Sequence, residues 1–332
     1  MGESQLQRQT VVVYARQMLT FALLDNWLPR LLHPAVRDLA WTLLAPPLLA
    51  DTPCPQRHPL TASGWAQNPQ QLADWLHVLD QHPEALLDWL NTARSQRLGI
   101  YYERLWQFAL RQAPGLDVLA ANIPVRAGGL TLGELDLLLR DAEGAHHLEL
   151  AIKLYLGPSS FEGQLHSNWR GAGRADNLER KLKHLADQQL TLSSTVEAQQ
   201  ILSTYGVKEL HPELWMSGYL FYPWPHGCNS PAGMHPSAQH GRWLQRRDWP
   251  GLLADKDAHF WQPLPRDCRL APLRVKEGAH WTSAQLDDWI QSLPTDAKPA
   301  LLAGLEQMDD GSWRETQRVM LLNDQWPADL TN

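Results

Sequence analysis

Two carboxylates and a lysine, Asp136, Glu149 and Lys153, fall within one short stretch, 133–153. The stretch reads as two strands, 134–139 and 147–154, with a turn over 141–144. Side chains of a strand alternate between its faces. Leu135, Leu137 and Leu139 therefore share one face of the first strand, and Glu134, Asp136 and Leu138 the other. On the second, Leu148, Leu150, Ile152 and Leu154 oppose Glu149, Ala151 and Lys153. Buried strands carry charge only where it is paired or holds a metal. A hairpin of this kind can gather Asp136, Glu149 and Lys153 on one side. Carboxylate oxygens are hard ligands suited to Mg²⁺. Such an ion acidifies bound water and offsets charge on a phosphate. The chemistry suggested is metal-dependent phosphodiester cleavage. The competing reading is a Glu149–Lys153 ion pair at a solvated sheet edge, with Asp136 at a strand end.

Around this hairpin the chain supplies helices first. Leu19, Leu23, Trp27, Leu28, Leu31 and Leu32, then Val36, Leu39, Ala40, Leu43 and Leu44, repeat at helical spacing, so 19–50 is expected to be helical. The Pro-rich stretch 51–69 reads as a loop. Stripes at Leu72, Trp75, Leu76 and Leu79, and at Leu86, Leu87, Trp89 and Leu90, predict two further helices. Another helix spans 98–112 and carries Glu103, which by itself pairs with Arg104 or Arg97. A strand over 116–125 ends at Pro124, and Gly128-Gly129 breaks the chain.

After the hairpin, 163–173 reads as a loop and 177–190 as a helix. Arg170, Arg174, Arg180, Lys181 and Lys183 make this the most basic part of the chain. They suit a phosphate-tracking edge or, as charge runs usually are, a solvated helix face. An aromatic strand over 216–224 completes the sheet. His226, Cys228, His235 and His240 are zinc-type ligands, but their spacing matches no standard finger. Thr282-Ser-Ala-Gln285 is a capping box, and Asp309-Asp310-Gly311 joins strands 300–306 and 313–322.

A chain of 332 residues can bury a sizeable core. Its net charge of −7 argues against a general nucleic-acid coat but leaves room for a local basic groove. Sixteen Trp residues are scattered rather than repeated and are expected in the core. Cys54, Cys228 and Cys268 are odd in number and widely spaced, which fits a reducing cytoplasm. No apolar run approaches a membrane span and no secretory signal is visible, so a cytoplasmic location without membrane contact is expected. Neither a Gly-x-Gly-x-x-Gly nor a Gly-Lys-Ser/Thr motif is present to support a dehydrogenase or a P-loop enzyme.

The Gly133-Glu-Leu-Asp136 motif, followed by an acidic strand ending in Lys153, resembles the core of the PD-(D/E)XK nuclease superfamily. The chain also resembles the bacterial domain-of-unknown-function family 1853, which has been placed in that superfamily. Segments 36–41, 98–105, 133–136, 149–155, 218–222 and 313–327 carry this resemblance. It implies an α/β fold: a PD-(D/E)XK nuclease-like mixed central sheet flanked by helices. It also implies Mg²⁺ or Mn²⁺ as cofactor and nucleic acid, DNA before RNA, as substrate. Asp136 would be a metal ligand, Glu149 a second ligand and Lys153 the residue that orients water or steadies the phosphate. Glu103, in Gly99-x-x-x-Glu103, fills the place from which the superfamily's leading helix brings a carboxylate to the metal. Gln188, Gln189 and Gln164 are weaker candidates for a polar residue that some branches place after the lysine strand.

One departure stands out. The usual acid two positions before the lysine is Ala151 here. Glu149 is either a migrated ligand or the remnant of a degraded site, and the second case implies a catalytically inactive, binding protein. The expected organisation is a flexible extension at 1–18, a helical cap at 19–95, the core at 96–225 and a small C-terminal α+β part at 226–332. That last part is a candidate surface for homo-oligomer formation.

Overall fold

The computed structural model describes residues 23–326, apart from 94, 96, 174, 256–257, 259 and 266–268. The 1–18 extension, Arg174 and Cys268 lie outside the described residues. The protein is mixed α/β. It divides into two compact units that interleave along the chain. The first comprises Met1–Pro47, Thr52–Ile152 and Leu182–Ser217; the second comprises Leu48–Asp51, Lys153–Lys181 and Gly218–Asn332. No described helix is long and apolar enough to cross a membrane.

In the first unit the lead-in is less helical than its periodicity suggests. Pro29 falls in a 3₁₀ turn, Leu28–Arg30, and the main helix runs only over Pro34–Leu44. Proline at its first position supplies the right φ and lacks an N–H that would go unused there. Pro46 and Pro47 follow, and Pro47 instead bridges to Ser217 in antiparallel fashion. The loop at 51–69 also needs correction. Ser63 accepts a hydrogen bond from the Ala66 amide to cap a short helix, Gly64–Gln67, and Pro69 opens the helix Pro69–Gln81. Glu84–Asn91 and Leu98–Leu110 complete the helical layer.

Three antiparallel strands follow: β1 (Asp117–Ala127), β2 (Leu130–Asp141) and β3 (Gly144–Leu156). Pro124 does not end β1; it pairs with Glu134 inside the strand. β1 lies at the end of the strand order, where a missing N–H is tolerated. Gly128 and Gly129 both have positive φ, 55° and 84°, the conformation of a tight hairpin turn. The β2–β3 hairpin is longer than its hydrophobic pattern implies, since Asp141 already pairs with Gly144. Every residue from Ala145 to Ile152 is buried, so both faces of β3 are covered. The helix Val196–Thr204, absent from the sequence reading, supplies part of that cover and is capped by the Thr195 side chain on the Ala198 amide. Leu192, Ala198 and Leu202 pack with Ile123, Val125, Leu135, Leu138 and Ala145.

A charged cluster fixes the closed end of this hairpin. The Arg57 guanidinium bonds Asp141 Oδ2 at 2.7 Å and Glu143 Oε2 at 2.6 Å. His146 lies 3.2 Å from Asp141 Oδ1 and 2.8 Å from Glu213 Oε2. Burial pushes the Asp141 carboxyl up, but the Glu143 amide, Arg57 and His146 outweigh it and hold it below the usual carboxylate range. A depressed folded-state pKa contributes stability that is present above the unfolded value, about 3.9, and lost as pH falls through the folded one. Thermal unfolding followed against pH is therefore expected to show a loss of stability below about pH 4 that is smaller in Asp141→Asn. An equal loss in both proteins would remove Asp141 from the acid response.

In the second unit the end of β3 pairs with the short β4 (Arg170–Gly171). The part of β5 (His211–Pro223) from Leu220 onward runs parallel to β6 (His240–Gln245). β6 is parallel to β10 (Trp313–Leu322), which is antiparallel to β9 (Ala300–Gln307). β9 in turn pairs with β7 (Phe260–Pro263), and the short β8 (Arg274–Val275) pairs antiparallel with β10. The C-terminal strands thus continue the order from β5 side by side. The Thr282–Gln285 capping box opens the helix Ser283–Ser292, whose Leu286 and Ile290 pack with Trp249, Trp261 and Leu302.

Candidate functional site

The register of the first three strands lines up the polar residues. Ala121 faces Leu137 and Ile123 faces Leu135, which leaves Asn122 opposite Asp136. The β2–β3 ladder runs from Asp141↔Gly144 to Leu137↔Leu148 and stops beside Asp136 and Glu149. There the Asp136 side chain takes over from the backbone, and its Oδ2 accepts the Leu150 amide at 3.1 Å. Asn122, Asp136 and Glu149 form a row across three strands.

Each end of the row is held by a helix. Asn122 has φ 54°, a left-handed conformation that asparagine tolerates better than most residues. Its amide donates to Glu103 Oε2 at 3.2 Å, and its Oδ1 accepts from Gln107 Nε2 at 2.8 Å. Both partners belong to the helix Leu98–Leu110. Glu103 therefore reaches the row through Asn122.

At the other end Glu149 is only 1 % exposed. Its Oε1 lies 2.9 Å from His147 Nε2, and its Oε2 accepts from Gln189 Nε2 at 2.5 Å. Gln189 closes a π turn, Leu185–Gln189, set between the helical segments Leu178–His184 and Leu190–Leu192. Interruptions of this kind recur at functional sites. Gln188 and Gln164 are exposed and, unlike Gln189, are not drawn to Glu149. Gly133 belongs to the same construction: a Cβ there would meet Leu192 Cδ2 at 2.8 Å. Glycine lets the helical turn settle onto β2.

Lys153 lies further along β3, in the second unit. Its Nζ is 2.6 Å from Asp176 Oδ2, to which the Tyr155 hydroxyl also donates at 3.4 Å. Burial first, and then the Asp176 charge, push the Tyr155 phenol up. Lys153 and Glu149 thus have partners other than the strand-edge ion pair that their spacing allows. Of the basic residues, Arg180 and Lys183 are exposed while Arg170 and Lys181 are half-buried.

Among the described residues no group of three His, Cys, Asp or Glu side chains is assembled to hold a metal ion. This applies to Asp136, Glu149 and Glu103 as well as to His226, Cys228, His235 and His240. The donor chemistry at Asp136 and Glu149 nevertheless suits a hard cation. The two carboxylates belong to neighbouring strands, and Glu149 is buried between His147 and Gln189. Adjacent carboxylates repel unless a cation or proton relieves them. His147, Asn122, Gln107 and Asp176 are the contributors that sequence reasoning missed. For His147 the signal was present, since a histidine two residues before Glu149 shares its strand face.

The family model described as "Domain of unknown function (DUF1853)" matches residues 37–322. No curated protein and no solved structure matches the chain.

Proposed function

The chain belongs to that domain-of-unknown-function family, and on the chemistry of its own residues we propose that it hydrolyses phosphodiester bonds of nucleic acid, DNA first, with Mg²⁺ or Mn²⁺. The observation that carries this reading is the buried Glu149, flanked by His147 and Gln189, with Asp136 on the neighbouring strand just past the Leu137↔Leu148 pair. Asp136 and Glu149 would hold the cation, which supplies an acidified water and relieves charge on the phosphate. A carboxylate buried in β3 between a histidine and a glutamine is a costly placement, which holding a cation would offset. Lys153 lies on the Glu149 face of the same strand by the two-residue period and would steady the phosphate or orient water. Glu103, acting through Asn122, would brace the row.

A second reading is favoured by Ala151 and by the Lys153–Asp176 ion pair. In it the same fold binds nucleic acid or protein without turnover. The test is cleavage of single- and double-stranded DNA and of RNA with Mg²⁺ or Mn²⁺, running Asp136→Asn beside the wild type. Asparagine keeps an acceptor for the Leu150 amide while removing the charge. Metal-dependent cutting by the wild type that is lost in Asp136→Asn is the expected result. Absence of cutting on every polymer, with binding retained, would leave the second reading in possession.

A further inference from the structure

Glu149 is clamped from both sides, and one arm of the clamp is a side chain with no other polar partner among the described residues. His147 is completely buried, its Nε2 faces Glu149 Oε1 at 2.9 Å, and its Nδ1 has no hydrogen-bond partner. A buried ring nitrogen without a partner costs free energy that an apolar side chain of similar size would not incur. Among the described residues the one polar contact of the His147 side chain is the bond to Glu149. We infer that His147 is a positioning residue for the phosphodiester site, fixing the Glu149 carboxylate in one rotamer by donating Nε2–H to Oε1. This inference rests on the reading of Glu149 given above.

A carboxylate oxygen accepts, so Nε2 carries the proton that it donates to Glu149 Oε1. Gln189 closes the other side, donating to Oε2. Its placement depends on the π turn, because one residue more or fewer in a helix turns everything beyond it by about 100°. Two adjacent histidines thus serve opposite faces of β3: His146 holds Asp141 and Glu213, and His147 holds Glu149. A free glutamate side chain samples many rotamers, and fixing it beforehand removes that entropy from cation binding and from the reaction.

The test uses the full chain with His147→Met, which fills the space without a donor, and His147→Gln, whose amide can reach the same oxygen. Three quantities are measured: calorimetric Mn²⁺ affinity without nucleic acid, kcat and KM for DNA cleavage with Mg²⁺, and the ¹⁵N spectrum of the His147 ring. His147→Met is expected to unfold cooperatively, to bind Mn²⁺ about 10–100-fold more weakly and to lose kcat to the same extent with KM little changed. His147→Gln should recover most of both. Wild-type Mn²⁺ affinity and kcat in His147→Met, or no recovery in His147→Gln, overturns the inference. If the wild type neither binds Mn²⁺ nor cuts, the phosphodiesterase reading falls, and the ring spectrum still decides on His147, as it does if His147→Met fails to fold. An Nε2–H tautomer whose signals move in Glu149→Gln supports the clamp; a spectrum unchanged by that substitution refutes it.

Discussion

Gly218→Ala is expected to destabilise the protein by more than about 4 kcal/mol or to prevent folding. Gly218 sits in β5 at φ 150°, where L side chains are rarely found. A Cβ built there would come within 1.7 Å of the Lys153 carbonyl oxygen and 2.8 Å of its carbonyl carbon. Both atoms are backbone, so no side-chain rotation relieves the overlap. The strands would have to part at the residue proposed to serve the phosphate. Gly99 provides the control. It lies in the helix Leu98–Leu110, and a Cβ there meets nothing within 4 Å. Gly99→Ala should therefore be neutral or stabilising by up to about 1 kcal/mol. Urea denaturation of the two variants beside the wild type measures the contrast. A Gly218→Ala protein of near wild-type stability would mean that the close approach of β5 to Lys153 does not exist.

Lys153→Ala is expected to cut metal-dependent cleavage on the order of 100-fold or more while leaving the fold intact. The two halves of that expectation come from different features. Lys153 and Asp176 are partly exposed, with side chains 27 % and 38 % accessible. Solvent screens such a pair, and its loss costs under about 1 kcal/mol. A large drop in activity beside an unchanged unfolding midpoint would separate a chemical role from a structural one. Asp176→Asn refines the result: it frees the lysine from its partner without removing it. If Lys153→Ala cleaves like the wild type, the lysine has no part in the chemistry. If neither protein cleaves any polymer, the binding-protein reading gains the weight that the hydrolase reading loses.

Much of the architecture was legible because it is written in short-range patterns. The stripe of Leu98, Tyr102, Leu105 and Ala109 has helical period, and the helix Leu98–Leu110 follows it within two residues of the expected end. Thr282 and Gln285 form both bonds of the capping box. Asp309-Asp310-Gly311 does join two antiparallel strands. The β2–β3 hairpin follows from turn residues between alternating apolar positions. Its length was underestimated because β3 is buried on both faces, so hydrophobicity does not mark where the strand begins. The N-terminal helix was overestimated because periodicity continues through Pro29 and Pro34, where the backbone cannot.

The sequence by itself determined which chemistry is available: hard carboxylates at Asp136 and Glu149, a lysine further along the same strand, and the hairpin that carries them. Alternation along strands and the spacing of apolar residues suffice for that. The partners of those groups were decided only by tertiary structure. Gln189 meets Glu149 because a π turn shifts the register of a helix, and nothing in Leu185–Gln189 announces such a turn. Asn122 joins the row because β1 pairs with β2 through Ala121↔Leu137 and Ile123↔Leu135, and Glu103 meets Asn122 because the helix Leu98–Leu110 lies beside that strand. Lys153 pairs with Asp176, a residue from a stretch that reads only as polar loop and helix start. The two units interleave, passing from one to the other within β3 and within β5. Local pattern governs local conformation, but a hydrogen bond between residues far apart in the chain depends on how whole elements pack, and that is settled only when the core closes.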